Sequence, residues 1–187
     1  MRIAGLMKND MIDGEGFCVS VWAQGCPHHC QGCQNPETWD FNSGTEVDNL
    51  ILLEKVRDAL DANGVKRNLS ILGGEPLCKE NIMDTNLLGL AIKGDWLCKK
   101  ENERKIFLWT GYTFEELMEK GWPYNCFICW ADKLIDGTYI QEQRDITLKL
   151  RGSRNQRIFN IDHYEDGRNI VMLNGEIIYV DENNTSA

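Results

Sequence analysis

An alternation of apolar runs with amphipathic stretches restricts the fold of this 187-residue chain more than any other feature of its sequence. Apolar residues alternate over residues 17–23, which predicts a strand, and they recur at helical spacing over residues 48–62. The same patterns predict strands at residues 69–72, 105–109 and 133–135, and helices at residues 82–92 and from residue 113. We therefore predict an α/β fold with a largely parallel sheet and with binding sites in the loops at its carboxyl edge.

The C-terminal segment follows a different pattern. Two apolar segments, residues 169–173 and 176–180, flank Asn174-Gly175, which is the dipeptide most typical of a two-residue hairpin turn. We therefore divide the chain into a main domain, residues 1–160, and a C-terminal extension, residues 161–187, that contains a short β-hairpin.

The balance of charged residues argues against a general nucleic-acid binder. Lys and Arg number 20 and Asp and Glu number 29, so the net charge is −9, whereas phosphate binding needs clustered cations. No apolar run is long enough to span a membrane, and residues 1–8 do not contain the apolar stretch of a signal peptide. We expect a cytoplasmic protein without a direct nucleic-acid or membrane partner.

Eight cysteines in a chain without an export signal should stay reduced, which favours metal binding or redox chemistry over disulfides. Cys26, Cys30 and Cys33 are separated by three and two residues in a loop after the first predicted strand. Three thiolates in one loop can hold a [4Fe-4S] cluster and leave one iron open, as in catalytic metal sites. The spacing is also compatible with a zinc site that uses His28 or His29 as fourth ligand, or with thiols that are close by chance.

A second candidate motif, Gly73-Gly74-Glu75-Pro76, directly follows the second predicted strand of the alternating pattern. The two glycines allow the backbone to approach a ligand closely, and a carboxylate in this place could receive an ammonium group. A glycine pair before proline is also typical of an ordinary turn. The position at the same sheet edge as the cysteine loop favours the ligand interpretation.

Two further groups of residues each have more than one interpretation. Four other cysteines could form a second metal site, but apolar neighbours favour buried or incidental thiols. These cysteines are Cys78, Cys98, Cys126 and Cys129. Three arginines, Arg151, Arg154 and Arg157, form a basic cluster that is either a solvated face or a contact for carboxylates of a partner or cofactor.

The cysteine spacing followed by Gly-Gly-Glu-Pro resembles the radical S-adenosylmethionine superfamily. A longer series of motifs resembles, more narrowly, the activating proteins of anaerobic ribonucleoside-triphosphate reductases. These motifs are Gly14-Glu15-Gly16, Gly25-Cys26-Pro27-His28-His29-Cys30, Gly32-Cys33-Gln34-Asn35-Pro36-Glu37-Thr38-Trp39, Trp109-Thr110-Gly111-Tyr112, Leu134-Ile135-Asp136-Gly137 and Arg151-Gly152-Ser153-Arg154-Asn155-Gln156-Arg157. The last segment, set behind an Ile-Asp-Gly turn, is the most specific to this family.

The resemblance implies an open, partial (β/α) barrel of the radical S-adenosylmethionine type. It implies a [4Fe-4S] cluster on Cys26, Cys30 and Cys33, and S-adenosylmethionine bound at the open iron. The residues implied to contact that cofactor are Gly73, Gly74, Glu75 and Pro76 at its methionine amino group, Gly32, Cys33 and Gln34 along its adenosine part, and Thr110 and Tyr112 as further contacts. No side chain needs to act as a catalytic acid or base, because the cofactors supply the radical.

The resemblance also implies partners. The protein substrate would be an anaerobic ribonucleoside-triphosphate reductase, which would receive a glycyl radical, and the electron donor a flavodoxin-like or other low-potential protein. The family pattern has an aromatic residue where this chain has Gln34 and a small residue where it has Arg154, and the tail after Ile161 exceeds the usual length. Activation of another glycyl-radical enzyme, or a non-enzymatic zinc-binding interaction module, stays open as an alternative.

Overall fold

The computed structural model describes residues 1–99, 103–164 and 168–181. The strands are β1 (Arg2–Asp10), β2 (Cys18–Ala23), β3 (Thr45–Glu46), β4 (Asn68–Gly73), β5 (Ile106–Trp109), β6 (Lys133–Asp136), β7 (Arg157–His163), β8 (Asn169–Leu173) and β9 (Glu176–Asp181). The helices are α1 (Asn49–Leu60), α2 (Ile82–Lys99) and α3 (Phe114–Lys120). Within these ranges no helix is both long enough and apolar enough to cross a membrane.

The nine strands of the described residues form one sheet in the order β3-β1-β2-β4-β5-β6-β7-β8-β9. Its centre is parallel, since β2 pairs with β4, β4 with β5 and β5 with β6 in the same direction. The outer pairings are antiparallel on both sides. The prediction of an α/β fold is therefore confirmed, whereas the prediction of a largely parallel sheet is wrong. β1 pairs antiparallel with β2, β7 pairs antiparallel with β6 and β8, and β3 and β9 extend the two antiparallel ends of the sheet.

The C-terminal hairpin is confirmed as β8 and β9, paired antiparallel with Leu173 opposite Glu176. Its turn residues Asn174 and Gly175 have φ values of 52° and 85°, in the left-handed region that Asn and Gly tolerate. The predicted boundary between residues 160 and 161 lies inside β7, which pairs with β6 on one side and β8 on the other.

Local signals explain where the helices begin. The side chain of Asp48 caps α1 by accepting hydrogen bonds from the backbone N–H groups of Leu50 and Ile51. Thr113 and Glu116 form a reciprocal capping box at the start of α3. The helix predicted over residues 82–92 extends as α2 to Lys99, because its apolar spacing continues through the buried Trp96.

The apolar core covers the faces of the central strands. It contains buried side chains from the parallel strands, from the inner faces of α1 and α2, and from the segment before β6. Its largest fully buried members are Trp130, Phe107, Phe127 and Phe159. This packing holds the four parallel strands in one register, so their carboxyl ends form a common edge.

Candidate functional site

The residues that the sequence predicts as functional follow the carboxyl ends of four parallel strands. Cys26 comes shortly after β2, Gly74 directly after β4, Thr110 directly after β5 and Gly137 directly after β6. Because these strands run in the same direction, the loops lie at one edge of the sheet. The fold thus brings the cysteine loop, the Gly-Gly-Glu-Pro turn and the Trp-Thr-Gly-Tyr turn together.

The cysteine loop is folded back on itself by backbone hydrogen bonds. The N–H of Gly25 donates to Thr38 O at 2.8 Å, and the N–H of Cys26 donates to Trp39 O at 3.1 Å. The N–H of Cys33 donates to Cys30 O at 3.1 Å and closes the turn between these two cysteines. Cys26 is buried, whereas Cys30 and Cys33 are half-buried at the edge of the site.

Backbone N–H groups surround the three thiols. The N–H of Asn35 donates to Cys33 Sγ at 3.4 Å. Burial raises the pKa of Cys26 to about 11, against the opposing effect of hydrogen bonds from the loop backbone. Burial also raises the pKa of Cys30, while an N–H of Tyr139 in the loop after β6 lowers it. N–H donors at sulfur are the contacts that tune the thiolate ligands of iron-sulfur clusters.

The two histidines of the cysteine loop contact other side chains in this structure. Over residues 1–99, 103–164 and 168–181, no three Cys, His, Asp or Glu side chains converge on one metal-ion position. His28 Nε2 is 2.8 Å from Glu75 Oε2, and the ring of His29 lies 4.8 Å from that of Trp39. Iron-sulfur clusters are held by cysteine thiolates, so the three thiols of this loop are the ligand type that such a cluster takes.

The carboxylate of Glu75 lies at the centre of the site with no exposed surface. Its Oε1 accepts hydrogen bonds from the Leu77 N–H at 2.9 Å and from Thr110 Oγ1 at 2.7 Å. Its Oε2 accepts a hydrogen bond from the Gly111 N–H at 2.7 Å and pairs with His28 Nε2 at 2.8 Å. The carboxylate therefore joins the Gly-Gly-Glu-Pro turn to the loop after β5 and to the cysteine loop.

The two glycines before Glu75 are required by the cysteine loop itself. The N–H of Gly74 donates to Ala23 O at 2.8 Å, and the N–H of Glu75 donates to Gly25 O at 2.8 Å. A Cβ on Gly74 would overlap the carbonyl of Gly25, and Gly73 has a φ of 106° with Ala23 backbone within 2.8 Å of any added Cβ. The Gly-Gly pair thus allows two backbones to meet next to Cys26.

Thr110 and Tyr112 occupy different positions in the site. Thr110 is buried and its hydroxyl binds Glu75, so it supports the carboxylate. Tyr112 is half-buried and packs edge-to-face on His28, with ring centroids 4.7 Å apart. Burial, with the negative charge of Glu75, raises the pKa of Tyr112 to about 12, so its hydroxyl keeps its proton and can donate a hydrogen bond.

The segment between β6 and β7 packs on the cysteine loop from the outside. A Cβ on Gly32 would overlap the side chain of Gln141, and a Cβ on Gly152 would lie 3.6 Å from Gln34 Nε2. Trp109 Nε1 donates to Leu150 O at 2.8 Å and ties the segment to β5. This segment therefore contacts the cysteine loop at Gly32 and Gln34, both of which stay exposed.

Internal hydrogen bonds shape the Arg-Gly-Ser-Arg-Asn-Gln part of this segment. Gln156 Oε1 accepts from the N–H of Gly152 at 2.8 Å, and Gln156 Nε2 donates to Gly137 O at 3.0 Å. Asn155 Nδ2 donates to Thr138 O at 2.7 Å. These polar side chains hold the loop against the end of β6, which explains their pattern without a ligand.

The basic cluster is in part neutralised by this chain's own carboxylates. Arg157 forms a bidentate pair with Glu115 and also binds the buried Asp136. Arg154 Nε donates to Asp145 Oδ2 at 3.0 Å, and Arg151 Nη1 donates to Gln156 O at 3.0 Å. The sequence alone could not distinguish these internal pairs from a partner contact.

The four cysteines considered for a second metal site are spread over other parts of the fold. Cys78 is buried after the Gly-Gly-Glu-Pro turn, and burial raises its pKa to about 12. Cys98 is exposed near the end of α2, Cys129 is exposed, and Cys126 is half-buried.

Sequence reasoning missed three contributors to the site. His28 was considered only as a zinc ligand, and the structure places it on Glu75. Tyr139, through its backbone, and Gln141, through its side chain, approach the cysteine loop from a segment more than 100 residues further along the chain. The His inside the cysteine motif was a visible signal, whereas nothing in the local sequence marked Tyr139 or Gln141.

A comparison with protein families matches residues 12–159 to the model described as a 4Fe-4S single cluster domain. The match contains the cysteine loop, the Glu75 turn and the segment between β6 and β7 that contacts the cysteine loop. The chain therefore belongs to the class of proteins with a single 4Fe-4S cluster domain.

Individual relatives define the family more narrowly. An anaerobic ribonucleoside-triphosphate reductase-activating protein from Haemophilus influenzae is 34% identical over 149 residues, which are 80% of this chain and 91% of that protein. A protein of the same name from Escherichia coli strain K12 is 30% identical over 152 residues, covering 81% of this chain and 94% of the relative. A third, from Enterobacteria phage T4, is 31% identical over 153 residues, covering 81% and 88%. The chain belongs to the family of anaerobic ribonucleoside-triphosphate reductase-activating proteins.

Proposed function

We propose that this chain cleaves S-adenosylmethionine reductively at a [4Fe-4S] cluster and thereby generates a glycyl radical on an anaerobic ribonucleoside-triphosphate reductase. The observation that carries the proposal is that the three-cysteine loop and the buried carboxylate of Glu75 lie at one sheet edge, joined by the hydrogen bond between His28 and Glu75. When bound, the reduced cluster would supply one electron that splits the cofactor into methionine and an adenosyl radical, which takes a hydrogen atom from a glycine of the partner.

The three cysteines of the loop would hold the cluster. Cys26, Cys30 and Cys33 would each bind one iron, and the chain offers no fourth thiol within this loop. The Asn35 N–H that donates to Cys33 Sγ favours the thiolate form that ligation requires. The fourth iron would then be free to receive the amino and carboxylate groups of S-adenosylmethionine.

The cofactor residues are assigned from the resemblance and from their shared sheet edge. Gly73, Gly74, Glu75 and Pro76 would hold the methionine amino group, with Glu75 as the counter-charge for the ammonium. The backbone of Gly32, Cys33 and Gln34 would follow the adenosine part, and Thr110 and Tyr112 would complete the contacts. In this assignment the side chains bind, orient and exclude water, and none acts as an acid or base.

The sheet architecture supports access for a protein substrate. β3 and β9 are the edges of the sheet, and no pairing joins them in the described residues. We take the parallel centre with its covering helices as an open, partial (β/α) barrel of residues 1–160, followed by the extension of residues 161–187. An open side allows a large partner to bring its glycine near the adenosyl carbon, as hydrogen transfer demands. A flavodoxin-like or other low-potential protein would supply the electron.

The proposal is tested by comparing Cys30→Ala with Cys98→Ala after anaerobic reconstitution with iron and sulfide. Cys98 is an exposed thiol on α2 and serves as the matched control. With dithionite and S-adenosylmethionine, wild type and Cys98→Ala should produce 5′-deoxyadenosine and methionine, and Cys30→Ala should produce neither. Addition of the reductase should then give a glycyl radical signal in electron paramagnetic resonance.

Two results would contradict this assignment. Full cofactor cleavage by Cys30→Ala would remove Cys30 from the ligand set. Absence of both products from the reconstituted, reduced wild type, even with the reductase added, would overturn the proposed function.

A further inference from the structure

Every acceptor position of the Glu75 carboxylate is occupied in this structure. An ionised carboxylate has about four lone-pair positions, two on each oxygen. Leu77 N–H and Thr110 Oγ1 take the two on Oε1, and Gly111 N–H and His28 Nε2 take the two on Oε2. An ammonium group can therefore bind Glu75 only by replacing one of these partners.

The four partners differ in how readily they can leave. The N–H of Leu77 belongs to the same turn as Glu75, and the N–H of Gly111 belongs to the backbone of the loop after β5. Thr110 is 5% exposed, and its hydroxyl also accepts a hydrogen bond from the Tyr112 N–H at 3.2 Å. His28 is different, because its side chain is 15% exposed and rotates without moving any strand.

The space around the imidazole is shaped to accept this ring. A Cβ on Gly111 would overlap His28, so the glycine of the Trp-Thr-Gly-Tyr turn provides the room for it. The ring of Tyr112 covers its other side edge-to-face at 4.7 Å. His28 also stands between Cys26 and Cys30, which are the proposed cluster ligands on either side.

We propose that His28 is a positioning residue that occupies the ammonium position of Glu75 until the amino group of S-adenosylmethionine replaces it. The inference rests on the proposed function. It gives the imidazole two roles: it satisfies the buried carboxylate while the cofactor is absent, and it connects cofactor arrival to the loop that carries Cys26 and Cys30. A carboxylate with no exposed surface needs such a partner, because an unsatisfied buried acceptor is unfavourable.

A direct consequence concerns binding affinity. In wild type the cofactor must break the His28–Glu75 hydrogen bond, whereas in His28→Ala it displaces only water. Removing this competition should tighten binding of S-adenosylmethionine by about three- to tenfold, which corresponds to roughly 1 kcal/mol for one hydrogen bond exchanged with water. A purely structural role of His28 would weaken binding instead.

The test measures the dissociation constant by anaerobic equilibrium dialysis on the reconstituted, oxidised protein, so that no turnover takes place. His28→Gln restores an N–H donor at a similar reach and should return the affinity to the wild-type value. His29→Asn is the loop control, because His29 packs on Trp39 and has a φ of 47° that Asn tolerates. Iron and sulfide content and circular dichroism are recorded for each variant first.

A second ligand makes the result specific to the ammonium group. The analogue of S-adenosylmethionine that has hydrogen in place of its amino group should bind His28→Ala and wild type equally. Equal or weaker binding of S-adenosylmethionine by His28→Ala would overturn the inference, as would loss of the cluster in His28→Ala but not in His29→Asn. Failure of every variant, wild type included, to bind the cofactor would overturn the proposed function and the inference with it.

Discussion

Replacing Glu75 with Gln tests the hydrogen-bond network on which the whole site depends. The substitution keeps the size of the side chain but exchanges one acceptor oxygen for an N–H2 donor. Around Glu75 the partners at both oxygens include a backbone N–H, Leu77 at Oε1 and Gly111 at Oε2. In either orientation of the amide, one buried backbone N–H therefore faces another donor and loses its acceptor.

The expected loss of stability in Glu75→Gln follows from these contacts. A buried donor without a partner costs about 1–3 kcal/mol, and hydrogen bonds to a charged group contribute about 1.5–3 kcal/mol against about 1 kcal/mol for neutral ones. Thr110 can rotate its hydroxyl and His28 can change tautomer, so these two partners adapt to the amide. The orphaned N–H and the weaker remaining bonds together should lower the free energy of unfolding by about 2–4 kcal/mol.

Urea unfolding of the cluster-free chain, followed by far-ultraviolet circular dichroism, measures this loss. Glu54→Gln is the matched control, because Glu54 is exposed on α1, and its effect should stay within about 0.5 kcal/mol. An unfolding free energy of Glu75→Gln within about 0.5 kcal/mol of wild type would refute the argument that the four partners stabilise the carboxylate.

Three further substitutions test parts of the fold outside the site. Burial, with the charge of Asp10 beside it, raises the pKa of Asp13 from its ordinary value of 3.8 to about 7, so the folded chain retains a proton that the unfolded chain releases. The free energy of unfolding should therefore fall as pH rises from about 4 to about 7. Urea unfolding at about pH 5 and about pH 8 should show a smaller fall for Asp13→Asn than for wild type. An unchanged fall would contradict the assignment. In α2, Gly89→Ala places a Cβ against the Trp130 ring and should destabilise by about 1–3 kcal/mol, while Gly94→Ala meets nothing within 4 Å and should stabilise by about 0.5–1 kcal/mol. Equal melting temperatures for the two variants would show that the Trp130 contact does not restrict position 89.

Elements with strong local periodicity could be predicted from the sequence. β2, β4, β5 and β6 are short apolar runs, and α1 and α3 begin at capping residues that are visible in the sequence. The Asn174-Gly175 turn predicted the hairpin because its backbone conformation is accessible to few other residue pairs. β1 was missed because exposed and buried residues do not alternate along it, and β7 because it follows a long irregular segment.

The sequence by itself determined the candidate ligands, because the cysteine spacing and the Gly-Gly-Glu-Pro turn are local sequence patterns that do not depend on how the rest of the chain folds. Only the tertiary structure decided which distant residues form hydrogen bonds with these candidate ligands. The partners of Glu75 include Thr110 and His28, 35 and 47 residues away along the chain, and Tyr139 reaches Cys30 from the loop after β6. Such contacts depend on strand order and register, which arise from packing of the whole sheet and leave no periodic signal near the residues concerned.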